Sequence, residues 1–307
     1  MSKESTRNIP ASIRQRLLDK SRKDGRPFNE RLQYFAMERF LFRLAQSPYA
    51  DRFVLKGAMM LSVWHAIESR STMDIDLLGK FDNAEAAIQA AVRTVISIAA
   101  PEDGILFDPA TIVTSRITED ADYHGIRVTF LAQLDSARIN MKLDIGFGDV
   151  VFPEPERLLF PTILALPAPE LLCYSRESAI AEKYQAMVKL GSLNSRMKDF
   201  FDSWLLSRQF DFDASTLREA LRLTFEKRGT DLAGLGFFSQ DFAQAKQVQW
   251  KAFRSRMKLD HSPELFSDVL VHLACFLVPF AIPGQGTSSA TTKWIAPGPW
   301  IARPIEE

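Results

Sequence analysis

A proline-rich stretch near the middle of the chain limits the possible folds more than any other feature. Five prolines lie within seventeen residues there: Pro153, Pro155, Pro161, Pro167 and Pro169. Proline fixes φ and removes a backbone donor, so this stretch is typical of a connector and not of a regular element. Before it, strand-like and helical patterns alternate, whereas from Pro169 to about Phe280 nearly every segment has helical periodicity. The sequence therefore predicts an α+β first half and a helical second half.

The first half has short elements in close succession. Apolar residues recur at helical spacing from Ile13 to about Gln46, and Pro48 ends that run. The pattern then predicts a strand at 53–55, a turn at Lys56-Gly57, a helix at 58–67, a strand at 73–78, a helix at 83–99 and strands at 110–118, 126–134 and 137–145. Strands this close in sequence favour antiparallel pairing.

The second half is predicted as helices at 178–191, 195–208, 215–227, 241–257 and 263–279. We therefore expect a first domain at 1–160, a helical domain at 161–281 that completes a ligand cleft, and a flexible tail at 282–307 that is rich in Pro, Gly, Ser and Thr. The 307 residues suit one large domain or two that pack together.

Charge and cysteine usage restrict the function less than the motifs do. The net charge is zero, so overall basicity does not indicate a nucleic-acid partner. Residues 1–31 nevertheless contain nine basic and four acidic residues, a patch that could attract phosphates, although a solvated helix face is commoner. Two cysteines without metal-ligand spacing, no signal peptide and no membrane-length apolar run predict a soluble, cytoplasmic protein.

Three aspartates carry the main chemical signal. In a strand at 73–78 the side-chain period of two places Asp74 and Asp76 on one face. Their mutual repulsion costs about 1 kcal/mol or more, which a cation such as Mg²⁺ would offset. Asp144 lies between two apolar residues and fits the same face of a neighbouring strand. Three such carboxylates could hold two metal ions for phosphoryl transfer, or one could accept a proton from an attacking hydroxyl. A solvent-facing stripe is the alternative interpretation.

Two further features precede the aspartates. Gly57 allows the backbone to approach a ligand closely, and a helix that begins near Ala58 would direct its first amides at phosphate. Arg70 either contacts phosphate or neutralises a carboxylate of the aspartate pair. Each feature is weak in isolation, and their spacing before Asp74 gives them weight.

The order and spacing of these motifs resemble those of the AbiEii (MenT-like) toxin nucleotidyltransferases, which belong to the polymerase-β-like superfamily. The matching segments are FVLKGA at 53–58, Trp64, RSTMDIDLLG at 70–79, LDIGFGD at 143–149, AEK at 181–183, RMKDFFD at 196–202 and, more faintly, TFEKRGT at 224–230. They cover roughly residues 53–230.

The resemblance implies a nucleotidyltransferase-like mixed sheet with flanking helices, followed by a helical bundle. It implies that Gly57 and its neighbours, Lys56 and Ala58, hold a nucleoside triphosphate and that Lys183 reaches its phosphates. Arg70 is a further candidate contact for these phosphates. It also implies that Asp74 and Asp76 bind Mg²⁺, with Asp144 as the third candidate ligand, and that Asp199 is a further active-site carboxylate. Many relatives have a hydroxyl residue where this chain has Ala58.

The implied activity is Mg²⁺-dependent transfer of a nucleotide to RNA, with the 3′ end of tRNA as the leading acceptor. The implied role is the toxin of a toxin–antitoxin or phage-defence system, with an antitoxin encoded nearby that acts with or without direct binding. Three alternatives stay open: a protein or small-molecule acceptor, a silent binding protein that Ala58 would explain, and a metal-dependent phosphodiesterase.

Overall fold

The protein, described by a computed structural model over residues 8–117, 125–232, 235–281 and 292–302, forms two compact units. The first unit comprises the described residues of Met1–Val63, Ser71–Gly148 and Glu156–Cys173. The second comprises those of Trp64–Arg70, Asp149–Pro155 and Tyr174–Glu307. No helix in these described ranges combines the length and apolar character that crossing a membrane requires.

The first unit is a mixed α/β structure. Its helices are α1 (Ile9–Asp24), α2 (Phe28–Ala45), α3 (Met60–Val63) and α4 (Glu85–Ile96). Its strands are β1 (Phe53–Lys56), β2 (Ile75–Gly79), β3 (Ile105–Ile117), β4 (Gly125–Leu134), β5 (Ala137–Phe147), β6 (Glu156–Leu159) and β7 (Glu170–Cys173). They form one sheet in the order β3-β4-β5-β2-β1-β7-β6. Because β2 pairs with β5, and β1 with β7, in parallel while the other pairs are antiparallel, the sheet is mixed, as predicted.

Along β4 and β5, one face of this sheet is buried and the other is open. Along β5 the buried residues Ile139, Met141, Leu143 and Ile145 alternate with more exposed polar residues. The helices α1, α2 and α4 contact the sheet, and Phe40 of α2 packs its ring 5.8 Å from that of Phe130 on β4. Since successive side chains of a strand point to opposite faces, the polar residues of β5 lie on the open face.

The antiparallel succession β3, β4 and β5 is confirmed, but β3 begins at Ile105, five residues before its predicted start. Pro109 lies inside this strand and concealed its first part from the sequence pattern. The structure accommodates the proline through a shift in pairing register between Asp108 and Val113, and proline is tolerated in a strand at such irregularities.

The proline-rich stretch also differs from its prediction, since β6 forms within it and β7 follows it. Residues 161–173, expected in the helical domain, accordingly belong to the first unit. Helix α2 fixes the stretch with side chains: the amide of Ile163 donates to Glu38 at 2.7 Å, and Arg39 donates to the Pro167 carbonyl at 3.0 Å. Sequence periodicity cannot predict these long-range hydrogen bonds.

The second unit consists mainly of helices, namely α5 (Arg176–Leu190), α6 (Met197–Gln209), α7 (Ala214–Lys227), α8 (Gln240–Met257) and α9 (Phe266–Ala281). Each lies within a few residues of its predicted position. Aromatic rings fill the core around Phe200, which packs edge-on against Phe266 at a centroid distance of 5.2 Å. The unit also contains a small sheet of β8 (Phe212–Asp213), β9 (Thr292–Trp294) and β10 (Trp300–Ala302), in the order β10-β9-β8.

That small sheet corrects the expectation of a flexible tail over its described part, 292–302. Trp294 is buried, and its indole nitrogen donates to the Ser207 carbonyl at 2.6 Å. Trp300 stacks on Phe276 of α9 at a centroid distance of 5.6 Å and an interplanar angle of 3°. Burial of indole rings outweighs the disorder that the Pro and Gly content suggests. The rest of the expected tail, 282–291 and 303–307, lies outside the described residues.

Candidate active site

Two of the three predicted carboxylates are neighbours across the sheet. Asp76 lies on β2 and Asp144 on β5, and the two are direct partners in the parallel ladder, which places their strands about 4.8 Å apart. Beneath Asp76, its strand neighbours Ile75 and Leu77 are fully buried, as predicted. The carboxylates of Asp76 and Asp144 therefore share the open face.

Asp74, the third predicted carboxylate, lies just before the first residue of β2. The strand begins at Ile75 and not at the predicted residue 73, and Met73 is half exposed and does not enter the apolar layer. Gln33 of α2 donates to the carbonyl oxygens of Met73 at 3.3 Å and Asn140 at 3.0 Å, which fixes this entry to the strand. The position of Asp74 thus depends on a tertiary contact and not on strand periodicity.

Two cations on neighbouring positions bind these carboxylates. The Lys142 amino group lies 2.9 Å from Asp74 Oδ2 and 3.6 Å from Asp144 Oδ2. The Arg127 guanidinium donates to both oxygens of Asp144, at 2.8 and 2.9 Å. Arg127 faces Asp144 in the antiparallel β4–β5 pair, and Lys142 lies two residues before Asp144 on the same face. The carboxylate cluster is therefore already partly neutralised by the protein.

Gly57 packs directly against Asp76. It has a φ of +72°, and a Cβ built on it would lie 2.0 Å from Asp76 Oδ2 and 2.7 Å from Asp76 Cβ. A glycine is needed here for two reasons, because the left-handed backbone is strained for other residues and the space belongs to the carboxylate. The sequence predicted that Gly57 permits a close approach, and the structure shows that Asp76 is the group that approaches.

Substituting Gly57→Ala is expected to destabilise the protein by about 2 kcal/mol or more, because left-handed strain and a steric clash with Asp76 combine. Gly25→Ala is the matched control, since Gly25 has a φ of +65° but no atom within 4 Å of its hypothetical Cβ. Urea unfolding of both variants separates strain from clash. Equal losses in the two variants would contradict the steric role assigned to Gly57.

The predicted phosphate-binding helix is much shorter than expected. A 3₁₀ turn, Gly57–Met59, leads into the four-residue α3, and the chain has left helical geometry by His65, whose φ is +57°. The expected helix at 58–67 is therefore wrong, and so short an element presents no sizeable helix dipole. Lys56 and Ala58 are both buried, and Lys56 is the ladder partner of Asp76.

A second cluster of charges lies in the second unit. Lys183 of α5 places its amino group 2.9 Å from Asp202 Oδ2 and 3.4 Å from Asp199 Oδ1, and both aspartates belong to α6. Arg70 donates to both oxygens of Asp202 at 2.7 and 2.8 Å. Arg196 lies 2.9 Å from Asp199. Of the residues predicted from the resemblance, the structure thus brings Lys183 and Asp199 together and pairs Arg70 with Asp202.

The ionic partners fix the charge states in this cluster. Burial alone would raise the pKa of Asp202, but Arg70 and Lys183 lower it to about 2. Burial alone would lower the pKa of Lys183, but the carboxylates of Asp202 and Asp199 hold it above its ordinary value. Both groups are therefore charged at neutral pH, and Asp202, with 1% of its surface exposed, is the buried centre of the network.

Sequence reasoning missed Asp202, Arg127 and Lys142 as members of these clusters. A signal for Asp202 was present, because it follows Asp199 by three residues on a helix and so shares its face. Lys142 precedes Asp144 by two residues in a strand, which also indicates a shared face. Arg127 could not be found in this way, since its pairing with Asp144 depends on the register of two strands.

The oxygen ligands that a divalent cation prefers are present in Asp74 and Asp76. Across the described ranges, no group of three or more His, Cys, Asp or Glu side chains is arranged to hold a metal ion. The donor set therefore fits a cation bound by two carboxylates, with remaining ligands from a substrate and water. Asp144, the third carboxylate expected at the metal, forms ion pairs with Arg127 and Lys142.

The basic segment at the start of the chain is partly neutralised. Within its described part, Lys20 and Arg31 pair with Asp24, and Arg26 pairs with Glu30. Such exposed pairs contribute little stability, but they reduce the positive field that would attract an RNA backbone. Lys3 and Arg7, which also belong to the predicted patch, lie outside the described residues.

Comparison with known proteins gives one sequence family and two distant structures. The sequence model of the family described as nucleotidyl transferase AbiEii toxin, type IV toxin–antitoxin system, matches residues 39–272. No curated protein matches the chain. The crystal structure of JHP933 from Helicobacter pylori is 15% identical with a TM-score of 0.42, covering 79% of this chain and 88% of that one. A candidate nucleotidyltransferase from H. pylori is 14% identical with a TM-score of 0.45, covering 81% and 93%.

Proposed function

The chain belongs to the AbiEii nucleotidyltransferase toxin family, and from this premise we propose that it transfers a nucleotide from a nucleoside triphosphate to an RNA acceptor in a Mg²⁺-dependent reaction. The observation that carries the proposal is the set of carboxylates on the open face of the mixed sheet, with Asp76 and Asp144 paired across the ladder. Family membership supplies the reaction class. The metal is our inference from the carboxylates, and the nucleotide substrate and the acceptor are inferred from the resemblance.

Asp74 and Asp76 would hold Mg²⁺, which when bound polarises phosphoryl oxygens and neutralises the charge that develops on them. The backbone at Gly57 holds Asp76 in place by steric contact. Asp144 fixes Arg127 through two hydrogen bonds, so that a guanidinium lies beside the reacting region. Positive groups that are fixed before the reaction stabilise negative charge without the cost of reorganisation.

The nucleotide contacts are proposed on the strength of the resemblance. Lys56, Gly57 and Ala58 would lie against the triphosphate, and backbone amides would replace the hydroxyl that Ala58 lacks. Lys183 would bind phosphate, supported by the carboxylates that keep its amino group protonated. Arg70 is retained as a proposed contact, although its guanidinium binds Asp202 in this structure. Asp199 is retained as an active-site carboxylate.

As acceptor we propose RNA, specifically the 3′ end of tRNA, because its hydroxyl can attack the α-phosphate with release of pyrophosphate. The biological role would be that of a toxin, including in phage defence, acting in the cytoplasm where tRNA and triphosphates are available. An antitoxin encoded nearby is the expected partner, in keeping with the type IV description of the family. A protein or small-molecule acceptor is the second candidate, favoured by the ion pairing within the basic N-terminal segment.

The test is incubation of the purified protein with each α-labelled nucleoside triphosphate, Mg²⁺ and total cellular RNA, alongside an Asp76→Asn variant. We expect label in a tRNA-sized band with the native protein and with one or two of the four nucleotides. Label in protein instead of RNA would show that the acceptor is a protein. RNA that shortens without uptake of label would indicate a phosphodiesterase. No uptake by any acceptor would support the silent relative that Ala58 suggests.

A further inference from the structure

A nucleotidyl transfer site with three carboxylates can hold two divalent ions about 3.5–4 Å apart, one toward each reacting oxygen. In this protein the carboxylate that would bind the second ion is Asp144, and it forms ion pairs with two side chains. Arg127 donates to both oxygens of Asp144, and Lys142 lies 3.6 Å from one of them. We propose that Arg127 and Lys142 take the place of the second divalent ion, so that the site binds one metal ion at Asp74 and Asp76. This inference rests on the proposed function.

The strand register places Arg127 directly beside Asp144. The two residues are direct partners in the antiparallel β4–β5 ladder, so their pairing follows from strand register and not from a mobile loop. A planar guanidinium matches both oxygens of a carboxylate, and arginine stays protonated at every physiological pH. A second ion could bind Asp144 only by displacing a fixed cation and then lying beside it, which is electrostatically unfavourable.

Lys142 occupies the space that a shared ion would need. Its amino group contacts Asp74 Oδ2 at 2.9 Å and extends toward Asp144 Oδ2, so it lies between the two carboxylates. The other oxygen of Asp74 and the carboxylate of Asp76 are the remaining protein ligands for a single metal. Mg²⁺ is commonly held by one or two carboxylates together with substrate phosphates and water, so this reduced set is sufficient.

The local charge balance agrees with one ion. Three carboxylates share one face of the sheet with three cations, because the buried Lys56 is the antiparallel ladder partner of Asp76 and so lies on the same face as Arg127 and Lys142. One Mg²⁺ then adds two positive charges against the incoming triphosphate. A second would raise the added charge to four, in a cluster that the protein has already neutralised. The protein's own side chains thus supply the positive charge on the Asp144 side.

The experiment counts Mn²⁺ ions per chain by equilibrium dialysis to saturation, with Mn²⁺ alone and with a mixture of the four α,β-methylene nucleoside triphosphates. We expect one protein-held ion per chain in wild type and none in Asp76→Asn. Two ions in wild type under either condition would overturn the inference and leave the proposed function standing. No bound ion under either condition would overturn both the inference and the metal site of the proposed function.

A charge-removing variant provides an independent test. Arg127→Met combined with Lys142→Met should acquire a second Mn²⁺ ion at Asp144 when the nucleotide analogues are present, because Asp74 and Asp144 then lack the cations that pair with them. Arg138→Met is the matched control, since Arg138 is an exposed residue farther along the same face of β5, and it should still bind one ion. Circular dichroism checks that the double variant is folded. If the folded double variant binds only one ion, the proposal is contradicted.

Discussion

Replacing Asp76 with Asn is expected to lower the rate of nucleotide transfer by about 10³-fold or more, since loss of a metal ligand costs several kcal/mol and each 1.36 kcal/mol is a factor of ten. The amide keeps the shape of the side chain, so the packing of Gly57 against it is preserved. The fold should therefore remain intact. Single-turnover incorporation of labelled nucleotide into RNA measures the effect.

Asp108→Asn is the matched control for this substitution. Asp108 is an exposed aspartate on β3 of the same sheet, where its carboxylate accepts from the nearby Ala110 amide at 2.9 Å, a bond that an asparagine oxygen can also accept. Transfer should be unchanged in this variant. Wild-type rates in a folded Asp76→Asn protein would remove Asp76 from the metal site and leave the proposed chemistry without its central ligand.

The second large effect is expected at Asp202, where Asp202→Asn should destabilise the protein by about 3–5 kcal/mol, the typical cost of removing one partner from a buried ion pair. The substitution leaves Arg70 and Lys183 next to each other without the carboxylate that holds them 2.7 and 2.9 Å away. Urea unfolding gives the difference in free energy. Glu219→Gln, at an exposed helical pair with Arg222, should leave the unfolding midpoint unchanged.

The pH dependence of stability provides a check on this explanation. The folded pKa of Asp202 is lowered to about 2 from its ordinary value of 3.8, so the folded state favours the charged carboxylate. The stability that this group contributes is then fully present above about pH 4 and is lost as the pH falls toward 2. Asp202→Asn should lack this component of acid sensitivity. An unchanged acid profile between wild type and variant would contradict the role given to the Arg70 and Lys183 charges.

The sequence alone was sufficient to predict the mixed α+β class, the family and the positions of most of the regular elements. Alternation in β4 and β5 and helical spacing from α5 to α9 were sufficient, because these elements bury one face and each has the periodicity of its geometry. The motifs around Asp76 and Asp144 also identified the family, and the structure places these two aspartates in register across parallel strands. Local pattern and tertiary structure agree wherever a side chain's direction follows from its own element.

Only the tertiary structure decided which charges meet. The ion pairs of Asp144 with Arg127 and of Asp202 with Arg70 join residues 17 and 132 positions apart, and no local periodicity encodes such pairings. The same limit applies to the strand at Ile105, where pairing with β4 overrode Pro109, and to Trp294, whose burial ordered a segment of disorder-prone composition. In each instance a long-range contact outweighed the local preference, because burial and pairing energies depend on neighbours that the local sequence does not specify.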